Sequence, residues 1–159
     1  YYNMKMLQKN ILIILFLLTT SCGYETIYSK KNAVNYDFSI GSINFEGERN
    51  VNLRIKQKLN NYILTQKNKK FDLDIKTEGN RVILAKDAAG NATNFENIIK
   101  VNIKVFIGAN LKENIEIEKS FKYENIANKY DLGNYERELR TNLAETIAEE
   151  LVFKLSNIQ

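Results

Sequence analysis

The chain of 159 residues contains no histidine, which removes the commonest general base and the metal sites that depend on imidazole. Cysteine occurs once, at Cys22, so this thiol needs an explanation of its own. Glycine is sparse, and Gly90 and Gly108 fall in hairpin turns and not between a strand and a helix, so no phosphate-cradling loop is indicated. A charge excess is missing as well. The formal charge is +4, but Lys5 and Lys9 lie in an acid-free leader, and residues 22–159 carry 21 basic against 19 acidic side chains. A surface this close to balance points away from nucleic acid. No segment repeats and none is of low complexity, so one domain with its own core is expected. No metal, no cofactor and no catalytic residue is expected, and an enzyme is not the expected reading.

The leader is present and well defined. Ile11 to Leu18 form an unbroken apolar run, ILIILFLL, behind Lys5 and Lys9 and ahead of small polar residues, the order of an export signal. As a helix this run reaches about 12 Å, against a hydrocarbon core of about 30 Å, too short for a comfortable permanent span. Thr19-Thr20-Ser21-Cys22 follow, with Gly23 behind. The arrangement resembles the lipobox of bacterial lipoproteins, in which the cysteine takes a diacylglycerol and becomes the first mature residue. Lipidation would give Cys22 a use, since an odd thiol in an exported protein otherwise invites oxidation or mispairing. Several acyl chains at about 0.8 kcal/mol per buried methylene would hold the protein on a membrane. Gly23 after the cysteine, in place of aspartate, favours the outer membrane. An uncleaved anchor or a secreted chain with a free thiol is the alternative. Residues 1–21 are therefore read as signal peptide, 22–36 as lipidated N-terminus and tether, and 37–159 as the folded domain.

Within that domain Phe38, Ile40, Ile43 and Phe45 mark a first strand with a bulge at Gly41-Ser42. Asn50 is placed to cap a helix carrying Val51, Ile55, Leu59 and Tyr62 or Ile63 on one stripe, with QKNKK supplying cations at its C-terminus. Phe71, Leu73, Ile75 and Thr77 alternate with charged residues. A break near Gly79-Asn80 is expected before the strand resumes at Val82. Ile99, Val101, Ile103, Val105 and Ile107 share the face of a third strand, and Ile115, Ile117 and Phe121 that of a fourth. The outer faces read Asp72 and Asp74, then Lys100 and Lys104, then Glu116 and Glu118, which puts the third strand in the middle. These carboxylates are a solvated, cross-paired sheet face in preference to a catalytic pair. The last helix, from Asn134 to Leu155, carries Tyr135, Leu139, Leu143, Ile147, Leu151 and Leu155 on one stripe, with Glu136, Arg137, Arg140, Glu145, Glu149 and Glu150 opposite. The expectation is an α+β fold of order β-α-β-β-β-α, with two helices on one face of a four-stranded, mostly antiparallel sheet.

The mature opening CGYETIYS, the hairpin LAKDAAGNATNF and the closing stretch from Phe121 to Leu155 resemble the LPS-assembly lipoprotein family LptE, in particular its alphaproteobacterial branch. The resemblance implies an outer-membrane lipoprotein on the periplasmic face that plugs and helps assemble the β-barrel LptD, and that binds lipopolysaccharide directly. It also implies two places for lipopolysaccharide contact, near the second hairpin and in the loop before the last helix. The matching basic residues here are Lys86, at the shoulder of a hairpin tip with no cation of its own, and Lys129. A ligand-binding or auxiliary envelope lipoprotein without a barrel partner is the alternative reading. A hydrolase built on Asp72 and Asp74 would need a concave pocket with one pKa raised, which an open sheet face does not offer.

Overall fold

Alternating apolar residues with helical stripes between and after them build six elements, seen in a computed structural model that describes residues 36–158. They are β1 (Phe38–Gly47), α1 (Arg49–Ile63), β2 (Lys69–Lys86), β3 (Ala92–Ile107), β4 (Asn110–Glu124) and α2 (Lys129–Ser156). The leader, Cys22 and the rest of the tether up to residue 35 lie outside the described residues. The sheet order is β1-β2-β3-β4, with β1 and β2 parallel and the other pairs antiparallel. The helical crossover between β1 and β2 makes the parallel pairing possible, whereas the short turns after β2 and β3 produce antiparallel neighbours. The fold is the expected α+β arrangement.

β3 lies between β2 and β4, as the charge pattern implied. Lys104 stands opposite Asp74, and Lys100 lies between Glu78 and Glu118. The Lys100 ammonium meets the Glu118 carboxylate at 2.9 Å, and that hydrogen bond and charge raise its pKa. On the other face, Phe71, Leu73 and Ile75 of β2, Ile99 to Val105 of β3, and Ile115 and Ile117 of β4 pack under Val51, Ile55 and Leu59 of α1. Ala144, Ile147, Ala148, Leu151 and Leu155 of α2 complete this core. Each fully buried Leu, Ile or Phe contributes about 1.5–3 kcal/mol relative to exposure.

Several boundaries differ from the sequence expectation. β2 runs unbroken through Gly79 and Asn80, which pair with Ile99 and Ile98, and the irregularity falls later, between Ile83 and Lys86. The bulge in β1 lies where expected, between Ile40 and Ile43. Asn50 does not cap α1. The chain turns at Gly47, with φ of 99°, where a side chain would overlap the Thr77 carbonyl oxygen, so Glu48 takes the cap position and Asn50 falls inside the helix. α1 ends at Ile63, so the QKNKK lysines lie beyond its last turn. Ile107 and Phe121 follow the apolar alternation but are 43% and 41% exposed.

Candidate functional site

β1 ends at Gly47 opposite Thr77, but β2 continues for nine more residues, so from Glu78 to Lys86 one edge of β2 has no strand beside it among the described residues. Val82, Ile83 and Leu84 are exposed along this stretch. Its other edge pairs with β3, and β3 with β4, to form an upper tier of the sheet. Thr77 marks the junction: its hydroxyl accepts from the Glu48 N–H at 2.9 Å and donates to Asn52 Oδ1 at 2.7 Å.

The upper tier has a small core of its own. Phe95, Tyr123, Leu132 and Leu139 pack together, with Ala92, Ile126 and Tyr135 against them. A polar chain runs beside it. The Arg81 guanidinium lies 3.8 Å from the centre of the Phe95 ring, and its Nε reaches Glu136 at 3.2 Å. The Tyr123 hydroxyl donates to Glu136 at 2.6 Å and accepts from Asn97 Nδ2 at 3.1 Å. Burial, then the bond and charge of Glu136, push the Tyr123 pKa up to about 12. Arg140 donates to Asn97 Oδ1 at 3.4 Å and lies 3.9 Å from Glu48. The chain of contacts thereby joins β2, β3, β4 and α2 to the start of α1.

Glu136 and Arg140 were expected on the solvated face of the last helix. The structure turns both toward the sheet, because they fall on the same i, i+4 row as the buried Leu132, Ala144 and Ala148. Arg81 and Asn97 were overlooked as well, although a signal existed. Both hold odd-numbered, inward positions in strands whose neighbouring odd positions are apolar, Thr77 apart, so a paired polar layer was legible there.

The hairpin tip is organised by Asp87, whose carboxylate accepts from the N–H of Ala89 at 2.9 Å and of Asn91 at 2.8 Å, and from Asn91 Nδ2 at 3.0 Å. These bonds, the Asn91 side chain foremost, hold the Asp87 pKa below its ordinary value. Gly90 takes φ of 85°, a left-handed conformation open to glycine. Lys86 sits just before this turn, opposite Ala92, and is exposed.

Lys129 lies where the loop before the last helix meets α2, as the first residue of that helix. Asn128 sets that start, its Oδ1 accepting from Tyr130 N–H at 2.9 Å and Asp131 N–H at 3.5 Å. A lysine in a first helical turn opposes the helix dipole. The fold therefore gains nothing electrostatically from its charge. Asn125 docks the preceding loop on β3, with its N–H on the Thr93 carbonyl at 2.7 Å and its Nδ2 on the Ala92 carbonyl at 2.9 Å. Since Ala92 is the partner of Lys86, both lysines belong to the same end of the sheet. Neither forms an ion pair among the described residues.

Asp72 and Asp74 lie on the outer face, where they accept from Ser42 Oγ and Asn44 Nδ2, each at 2.8 Å. The described residues hold no cluster of metal-ligating side chains and no helix long and apolar enough to cross a membrane.

No protein-family profile matches the chain, and no curated protein does. Solved structures do match. Rare lipoprotein B from Shewanella oneidensis superposes with a TM-score of 0.54 at 16% identity, covering 73% of this chain and 97% of that one. A minor lipoprotein from Acinetobacter baumannii gives a TM-score of 0.58 at 16% identity, over 76% of this chain and 91% of that one. A lipoprotein from Caulobacter crescentus gives 0.53 at 14% identity, over 74% and 87%. The chain therefore shares the fold of these lipoproteins.

Proposed function

We propose that the protein is a non-enzymatic, lipid-anchored component of the outer membrane that plugs and helps assemble the β-barrel LptD and binds lipopolysaccharide. The observation that carries this reading is the shared lipoprotein fold, joined to a leader that ends in a lipobox-like Cys22. The outer sheet face, with its cross-paired lysines and carboxylates, suits the polar lumen of a large barrel. Lipopolysaccharide carries phosphates and carboxylates, so its contact surface needs cations without partners. Lys86 and Lys129 supply them at one end of the sheet.

Two measurements test the parts separately. Intact mass of protein taken from membranes should carry the acyl chains on Cys22, and Cys22→Ser should lack them. Lipopolysaccharide binding should weaken by about tenfold or more in Lys86→Glu/Lys129→Glu, the size of a lost charge-assisted contact. Unchanged binding with an intact fold would exclude this pair as the contact.

A further inference from the structure

The opposite end of the molecule gathers features that neither core uses. β1 begins at Phe38 opposite Lys69, Ile107 pairs with Asn110 across the β3–β4 turn, and Asp72 stands opposite Phe106. Lys69 Nζ donates to the Ile158 carbonyl at 3.1 Å, which brings the end of α2 to the same place. α1 also finishes there, at Leu64. The first described residue, Tyr36, stacks on Phe38 at 6.1 Å, so the chain from Cys22 reaches the domain at this end.

Three aliphatic side chains are exposed here: Leu64 at 77%, Leu111 at 51% and Ile107 at 43%. Lys70, opposite Ser39, and Lys67 and Lys112, next to the starts of β2 and β4, belong to the same end and form no ion pair within the described residues. The carboxylates at this end are Asp37, Asp72 and Glu113, and Asp72 is engaged by Ser42 at 2.8 Å. Lys30 and Lys31 add positive charge to the segment leading in. Exposed aliphatics and unpaired lysines at one end match an anionic bilayer surface, where apolar groups enter the interfacial layer and ammonium groups meet phosphate.

We propose that this end is a membrane-facing surface that rests on anionic phospholipid headgroups. It rests on the lipid-anchor reading above, since the chain from Cys22 joins the domain at this end through Tyr36. Leu64, Ile107 and Leu111 enter the interface, and Lys67, Lys70 and Lys112 bind phosphates. The anchor fixes the protein to the membrane, and the surface fixes its orientation.

The sequence contains no tryptophan, so Leu64→Trp or Leu111→Trp installs a sole reporter, with Ile83→Trp as reference at the far end. Full-length protein is placed in vesicles of phosphatidylethanolamine and phosphatidylglycerol with brominated acyl chains. A single lysine near such a surface is worth about a fivefold gain in partitioning. Binding through this end should make quenching at positions 64 and 111 exceed that at position 83 by about twofold or more, since only these two side chains enter the acyl boundary. It should fall in high salt, in phosphatidylcholine vesicles and in Lys67→Gln/Lys70→Gln/Lys112→Gln. Equal quenching at all three positions, or quenching indifferent to phosphatidylglycerol, overturns the proposal. The same outcome would follow if a protein partner, and not lipid, covered this end. Intact mass separates the two readings: an unacylated chain quenched at 64 and 111 loses the anchor but keeps the surface, and an acylated chain quenched uniformly loses the surface but keeps the anchor.

Discussion

Below Thr77 the sheet has four strands, two helices over one face and a core of aliphatic side chains that are almost wholly inaccessible. Above it three strands meet only the first turns of α2, and four aromatic and aliphatic residues share the interior with a chain of hydrogen bonds through Arg81, Glu136, Tyr123, Asn97 and Arg140. The lower tier is held by non-directional burial, which tolerates repacking and contributes most of the folding free energy. The upper tier is held by directional bonds, which fix geometry but give less net stability each. A rigid base that carries a lightly built, exactingly oriented tip is a sensible division for a protein whose candidate ligand lysines lie on the tip.

The largest effect should come from breaking the base. Ile147→Asp places an unpaired charge where Ile147 is fully buried, costing about 3–5 kcal/mol or more, and the cooperative thermal melt should disappear. Leu132→Ala acts on the smaller core, where the side chain is already 9% exposed, and should cost about 2 kcal/mol, the low end for such truncations. Hydrogen exchange should locate the loss in the upper strands and leave the base protected.

Tyr123→Phe sharpens the contrast, since it removes a hydroxyl and leaves the ring. The cost should be about 1 kcal/mol near neutral pH. The Tyr123 pKa is raised from 10.0 to about 12, so its contribution is fully present below pH 10 and is lost as pH rises through about 12. Alkaline melts of the parent should therefore lose stability across that window, and those of Tyr123→Phe should lose less. The smallest effect belongs to the outer face. Lys100→Ala removes the exposed pair with Glu118 and should leave the melting temperature essentially unchanged.

Much of the base was legible in the sequence. Strict alternation from Phe71 to Thr77 and from Ile99 to Val105, and the four-residue spacing from Leu139 to Leu155, each have one physical solution, an apolar face turned to a shared core. The charge alternation even placed β3 between β2 and β4. The tip was harder to read because its interior is partly polar. Arg81 and Asn97 are marked by their inward strand positions, but Glu136 looks like a surface residue until Arg81 and Tyr123, far along the chain and close in space, are known to satisfy it. Helix starts were missed for a related reason. Glu48 and Asn128 are set by the positive-φ turn at Gly47 and by a side-chain cap, whereas the apolar stripes begin several residues later. Lys86 and Lys129 were suggested by resemblance, and their nearness depends on Asn125 docking against Ala92, which no periodicity reveals.

The most direct test of the account is recovery of the native protein from outer-membrane extracts in mild detergent, with a tag after Gln159 and Cys22→Ser as comparison. A large β-barrel protein recovered with it in equal amount is the predicted result. Recovery of the lipoprotein alone, with its fold and acyl chains intact, would contradict the barrel-plug reading and favour a ligand-binding envelope lipoprotein that works without a barrel.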